Sequence, residues 1–163
     1  MIVMDASTAI LLAKAELLDE FIQAVAEPVV MPREVEEECC SRDSPDAWSI
    51  KRAVEERRIR VKTVERKALI GELGLEFTLG TGEAAVLALA TGHRGVLVAT
   101  DDKRAINACK LLRIPFTTAL SVLVRMREKG ALSSEEALEK LETLAAFGRY
   151  RKDMVEAARA QLE

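Results

Sequence analysis

The chain has 163 residues, 49% of them hydrophobic and 31% charged, with a net charge of −3, three cysteines and one histidine; this is enough for one domain with a substantial core and too apolar for a disordered chain. Neighbouring Cys39 and Cys40, an odd Cys109, the absence of any C-x-x-C and a lone His93 leave almost nothing from which to build a nitrogen–sulfur zinc site or a Ser/His/Asp triad. The apolar runs fall far short of the roughly 20 residues that span a bilayer, and the N-terminus lacks the positive flank of a signal peptide, so a cytoplasmic protein with reduced thiols is expected.

From the N-terminus, "IVMD" is a short apolar run ending at Asp5. Ile10, Leu11, Leu17, Leu18, Phe21, Ile22 and Val25 then follow helical spacing, which predicts a strand and one long or two short helices. "PVVM" opens a second such unit, with Pro32 at the start of a helical turn and "REVEEECC" as an acidic helix. Ser44 as N-cap and Pro45 at the first position start another helix, which runs to Arg58. "IRVKTV" alternates apolar and basic residues as an edge strand does. A helix around "ERKALIGELG" is expected to stop at Gly74, and "LGTGEAAVLALATG" gives a two-glycine loop and a strongly apolar helix ended by Gly92.

"GVLVAT" is the clearest buried strand, "DDKRAINACKLLR" the helix after it, and "IPF" a very short strand whose Pro115 suits an edge. "ALSVLVRMREKG" and "SSEEALEKLETLAAFG" are further helices, the second opened by a capping box of Ser133 and Glu136, and a last polar helix covers Lys152 to Leu162. Leu132, Leu138, Leu141, Leu144 and Phe147 form an apolar stripe that would pack on its own domain or receive a partner. Alternating strands and helices predict a three-layer α/β fold, a mostly parallel central sheet flanked by helices, with residues 1–130 as the main domain and 131–163 as a helical extension packed on it.

In such sheets sites form beyond the carboxyl ends of the strands. Asp5 and the pair Asp101 and Asp102 stand at such ends, Glu83 opens the apolar helix, and Glu37 lies in the acidic helix, so right-handed crossovers would bring all of them to one edge. Two carboxylates about 4 Å apart repel by roughly 4 kcal/mol at an effective dielectric near 20, and a divalent cation reverses the sign. Oxygen-only ligands suit Mg²⁺ or Mn²⁺, ions that assist in-line attack on phosphate without histidine or cysteine. The same acids also fit simpler roles: Asp5, Asp101 or Asp102 as helix caps, and Glu83 as a first-turn acid favoured by the helix dipole. "GTGE" lacks the lysine and spacing of a phosphate-binding loop.

Charge is unevenly spread. Residues Lys51 to Lys67 hold eight basic and three acidic side chains. They would follow a phosphate backbone, with Lys51, Arg52, Arg58, Arg60 and the separate Arg104 as candidates, or form a solvated face of i,i+4 pairs.

"IVMDASTAILLAK", "MPREVEEE", "LGTGEAAVLALA" and "VLVATDDKRAINACKLLRIPF" resemble, in order and spacing, the successive motifs of the PIN-domain family over about the first 120 residues. They are most similar to an uncharacterised prokaryotic branch described as predicted nucleic-acid-binding proteins. The resemblance implies a Mg²⁺- or Mn²⁺-dependent endoribonuclease, as in the toxin of a toxin–antitoxin pair. It further implies an antitoxin protein as partner of the toxin form and a homodimer, and single-stranded RNA is the expected substrate because the site must reach a scissile phosphate on an exposed backbone. By position, Asp5 corresponds to the family's first Asp, Glu37 to its helical Glu in a run of Glu34, Glu36, Glu37 and Glu38 whose register the sequence leaves open, Glu83 to its central acid, and Asp101 or Asp102 to its last. Ser7 and Thr100 match the small polar residue after the first Asp and the Thr of T-x-D, and would orient water or bond local backbone. A domain that keeps the fold but only binds nucleic acid or protein is the alternative.

Overall fold

The computed structural model describes residues Met1 to Glu163. The elements in chain order are β1 (Ile2–Met4), α1 (Ala6–Lys14), α2 (Leu18–Ala24), β2 (Val29–Pro32), α3 (Arg33–Cys40), α4 (Pro45–Glu55), β3 (Ile59–Lys62) and α5 (Lys67–Phe77). They continue with α6 (Thr81–Thr91), β4 (Leu97–Ala99), α7 (Lys103–Leu112), β5 (Phe116–Thr117), α8 (Ala119–Glu128), α9 (Ser134–Phe147) and α10 (Lys152–Leu162).

The five strands form one sheet in the order β3-β2-β1-β4-β5, every pairing parallel. The expectation of a mostly parallel sheet thus becomes a wholly parallel one. Val3, Met4, Val98 and Ala99 have no exposed surface, as strands covered on both faces require. The alternating "IRVKTV" is indeed an edge strand, and β5 is the other edge. Between β1 and β4 the strand order reverses, and that point, beyond the carboxyl ends, is where such sheets open a crevice.

The first helical run is broken into α1 and α2 by Glu16, which takes a left-handed conformation at φ 52°. Gly74 does not end its helix. It lies inside α5, where an added Cβ would stand 3.8 Å from the Ala84 Cβ of α6, and the helix stops instead at Thr78 with φ 54°. Helix α6 is buried from Ala84 through Ala90, which accounts for its nearly unbroken apolar sequence. Leu141, Leu144, Ala158 and Leu162 of the last two helices belong to the same hydrophobic core as the strands, and the Lys140 ammonium donates to the Ala15 and Glu16 carbonyls at the end of α1. Phe147, the last member of the apolar stripe, is exposed, with the Lys14 ammonium 4.6 Å from its ring centre. No single helix is long and apolar enough to cross a membrane.

Candidate active site

Asp5 follows β1 directly and its backbone N–H donates to the Ala99 carbonyl of β4, so the two central strands deliver their ends to one point. Its carboxylate is 1% exposed. Oδ1 accepts from the Ala6 N–H at 2.7 Å, capping α1, while Oδ2 accepts from the Ser7 hydroxyl at 2.9 Å and the Thr100 hydroxyl at 2.8 Å. Those hydroxyls have a fixed sense, because each accepts from a backbone N–H of the aspartate pair: Ser7 from Asp101 at 3.0 Å and Thr100 from Asp102 at 3.2 Å. Ser7 and Thr100 therefore fasten Asp5 to the loop after β4.

Burial pushes the Asp5 carboxyl up to about 7 against the pull of these hydroxyls, and the nearby charge of Glu83 adds to the rise. Glu83, in the first turn of α6, curls back over Gly80, where a Cβ would come within 2.5 Å of Glu83 Oε2. Burial and the charge of Glu83 likewise raise Glu38 on α3. None of Asp5, Glu38, Glu83 or Asp102 forms an ion pair with a lysine or arginine. The edge gathers acids with no direct cationic partner, with only the more distant charge of Arg42 pulling against the rise of Glu38, and it opens into a cleft of about 430 Å³ lined by Glu83, Asp101, Asp102, Lys103, Arg104 and Arg149, among others.

A family model described as a PIN domain matches residues 1–162. The chain belongs to the PIN-domain family. No curated protein and no solved structure matches it. PIN domains are in general nucleases and typically use divalent metal ions.

In this PIN domain the aspartate pair divides its work. Asp101 Oδ2 accepts from the Thr8 hydroxyl at 2.6 Å and the Ala119 N–H at 2.9 Å, and Oδ1 accepts from the Tyr150 hydroxyl. Asp101 thus joins α1, the start of α8 and the segment between α9 and α10; burial raises its carboxyl, and the same contact raises the Tyr150 phenol after the larger effect of burial. Asp102 caps α7, with Oδ1 accepting from the Ala105 N–H at 2.8 Å, and its Oδ2 makes no hydrogen bond within the protein. Of the pair, Asp102 has the free oxygen.

On the acidic helix the residue beside Glu83 is Glu38 rather than the expected Glu37, although both lie at exposed positions. Val35 and Cys39 are buried and set the rotation of α3, and Glu34 is turned to Lys67 at 2.7 Å. Gly82 permits the approach: a Cβ there would stand 2.8 Å from Glu38 Oε2.

The expected cations fare differently. Arg52 and Arg58 both pair with Asp19, at 2.9 and 2.5 Å, and Lys51 stands 4.0 Å from Glu55. Arg60 lies on β3, the edge strand three places from β4. Only Arg104 lines the acidic cleft, its guanidinium donating to the Thr78 carbonyl at 3.1 Å.

Carboxylates without cationic partners are the donors a hard divalent ion selects. No group of three or more acidic, histidine or cysteine side chains is placed to hold a metal ion as the side chains stand; Glu83 and Asp102 share the cleft, and the Glu83 charge reaches both Asp5 and Glu38. Glu38 is one of the four glutamates among which the sequence left the register open, while sequence reasoning missed Thr8, Arg149 and Tyr150. For the last two a signal existed in the basic "GRYRK" following Phe147.

Proposed function

We propose that this PIN domain is an endoribonuclease that hydrolyses phosphodiester bonds in single-stranded RNA with Mg²⁺ or Mn²⁺. The observation that supports this most is the buried, ion-pair-free Asp5 carboxylate beside Glu83, at the strand-order reversal of a parallel sheet. Asp5, Glu83 and Asp102 would hold the ion, with Glu38 as a further acid. Bound there, a divalent cation offsets the acids' repulsion and stabilises the charge that develops on a phosphodiester under attack. The protein's own part is to hold Asp5 through Ser7 and Thr100, to keep Asp102 fixed as the α7 cap, and to offer Lys103 and Arg104 to phosphate oxygens.

Purified protein should cut an unstructured RNA when Mg²⁺ or Mn²⁺ is added and stop in EDTA. Asp5→Asn and Glu83→Gln should each lower the rate by about 10²-fold or more, the scale expected when electrostatic stabilisation of a transition state is lost. In its toxin form the reading also expects growth arrest on expression, relieved by Asp5→Asn and by a partner antitoxin. A second reading, a module that binds nucleic acid without cutting, is favoured by the absence of a closed metal cage and by the engagement of Asp101 with Thr8, Ala119 and Tyr150. RNA binding with no cleavage under either metal would select it.

A further inference from the structure

The cations nearest the acids come from two segments far apart in sequence. Lys103, Arg104 and Lys110 lie on α7, and Arg149 and Arg151 lie between α9 and α10. Together they line a cleft of about 440 Å³ whose only acidic lining residue is Asp101. Lys103, Arg104, Lys110 and Arg149 form no ion pair within the protein. Arg151 is the exception in the cleft, held by Asp153. In a protein of net charge −3, this is a local excess of positive charge, five cations against the single lining acid Asp101.

The segment that carries Arg149 and Arg151 is fixed in place. Between the two arginines, Tyr150 donates its hydroxyl to Asp101, and it folds back over Gly148, where any Cβ would collide with the Tyr150 ring and lie 2.7 Å from the Leu144 carbonyl. The arginines are thereby anchored to the end of β4. This cleft and the acidic one share Asp101, Lys103, Arg104 and Arg149, so they form a continuous channel. Ile106 and Met154 give the basic half an apolar element suited to the face of a base.

We infer that the groove between α7 and the Arg149–Arg151 segment is a binding track for the sugar–phosphate backbone of a single-stranded nucleic acid, leading one flank of the strand to the acidic cleft. The inference rests on the proposed function for its substrate class, and it moves the nucleic-acid surface away from Lys51–Lys67.

The test reads binding without turnover. A fluorescein-labelled oligouridylate is titrated with protein in EDTA at several salt concentrations, with fluorescence anisotropy as readout. Four unpaired cations predict a slope of log K against log salt near −3, at about −0.7 per phosphate neutralised on a single strand. Lys110→Ala/Arg149→Ala, both at exposed positions, should reduce that slope by about 1.4 and weaken binding, with unchanged circular dichroism. Arg52→Ala/Arg60→Ala should bind as wild type. A larger loss in the Arg52/Arg60 variant, an unchanged slope in the Lys110/Arg149 variant, or binding of polyaspartate but not oligouridylate would overturn the inference. Binding of this kind with no cleavage under any metal would refute the nuclease reading and leave the groove standing; cleavage with full affinity in the Lys110/Arg149 variant would do the reverse.

Discussion

Asp5 is the residue at which function and stability pull in opposite directions. Its carboxyl ionises near 4 in an unfolded chain, while burial pushes it up to about 7 in the fold. Between those values the folded protein holds a proton that the unfolded chain releases. The stability tied to this group is therefore complete below about pH 4, falls as pH rises towards 7, and is flat above. Asp101 and Glu38, which burial also raises, act in the same sense, and Asp19, held below its ordinary value mainly by its hydrogen bond from Arg58, acts in the opposite sense at more acidic pH. In EDTA, the wild-type melting temperature should fall by several degrees between pH 5 and pH 8. Asp5→Asn should remove a large part of that fall and melt higher than wild type at pH 8, because an uncharged amide no longer faces Glu83 and can turn its oxygen to the Ser7 and Thr100 hydroxyls, whose sense is fixed. Equal pH dependence in the two proteins would show that the Asp5 charge is not uncompensated. An acid kept at this stability cost is the kind of residue retained for a ligand.

At the scale of elements, the site depends on how closely α3 and α6 approach. Gly82→Ala would place a Cβ 2.8 Å from Glu38 Oε2, and the flexible end of that glutamate would swing away. Alanine is the better helix former by about 0.8–1 kcal/mol. The variant should thus melt at or above the wild-type temperature while RNA cleavage falls about tenfold; full activity would mean that Glu38 takes no part. The ends of β1 and β4 were legible in the sequence because an apolar run closing on aspartate states both a buried strand and its carboxyl edge. The register of α3 was not, since four glutamates crowd eight residues and only the burial of Val35 and Cys39 selects the face. The pairing within the basic stretch was hidden for a similar reason: Asp19, more than thirty residues from Arg52 and Arg58, bridges both across the fold. Thr78 ends α5 in a left-handed turn that packing against α6 imposes and that no glycine announces.

Taken whole, the molecule makes its last two helices part of the site's foundation. Asp101 ties the loop after β4 to Tyr150, and Tyr150 is held between α9 and α10, whose Leu141, Leu144 and Leu162 are fully buried in the common core. A cavity cut beneath α9 should then be felt by the entire fold. Leu144→Ala should remove about 2–5 kcal/mol of stability, the range for a buried leucine. The single tryptophan, Trp48 on α4, donates its indole N–H to Asp43 and reports on a different part of the molecule. Its fluorescence and the far-ultraviolet circular dichroism should lose their native signals in one coincident transition, shifted together by the substitution. A first transition that melts helix content and leaves the Trp48 signal in place would make residues 131–163 a separate unit. The groove and the Asp101–Tyr150 contact would then rest on a removable appendage instead of on the core.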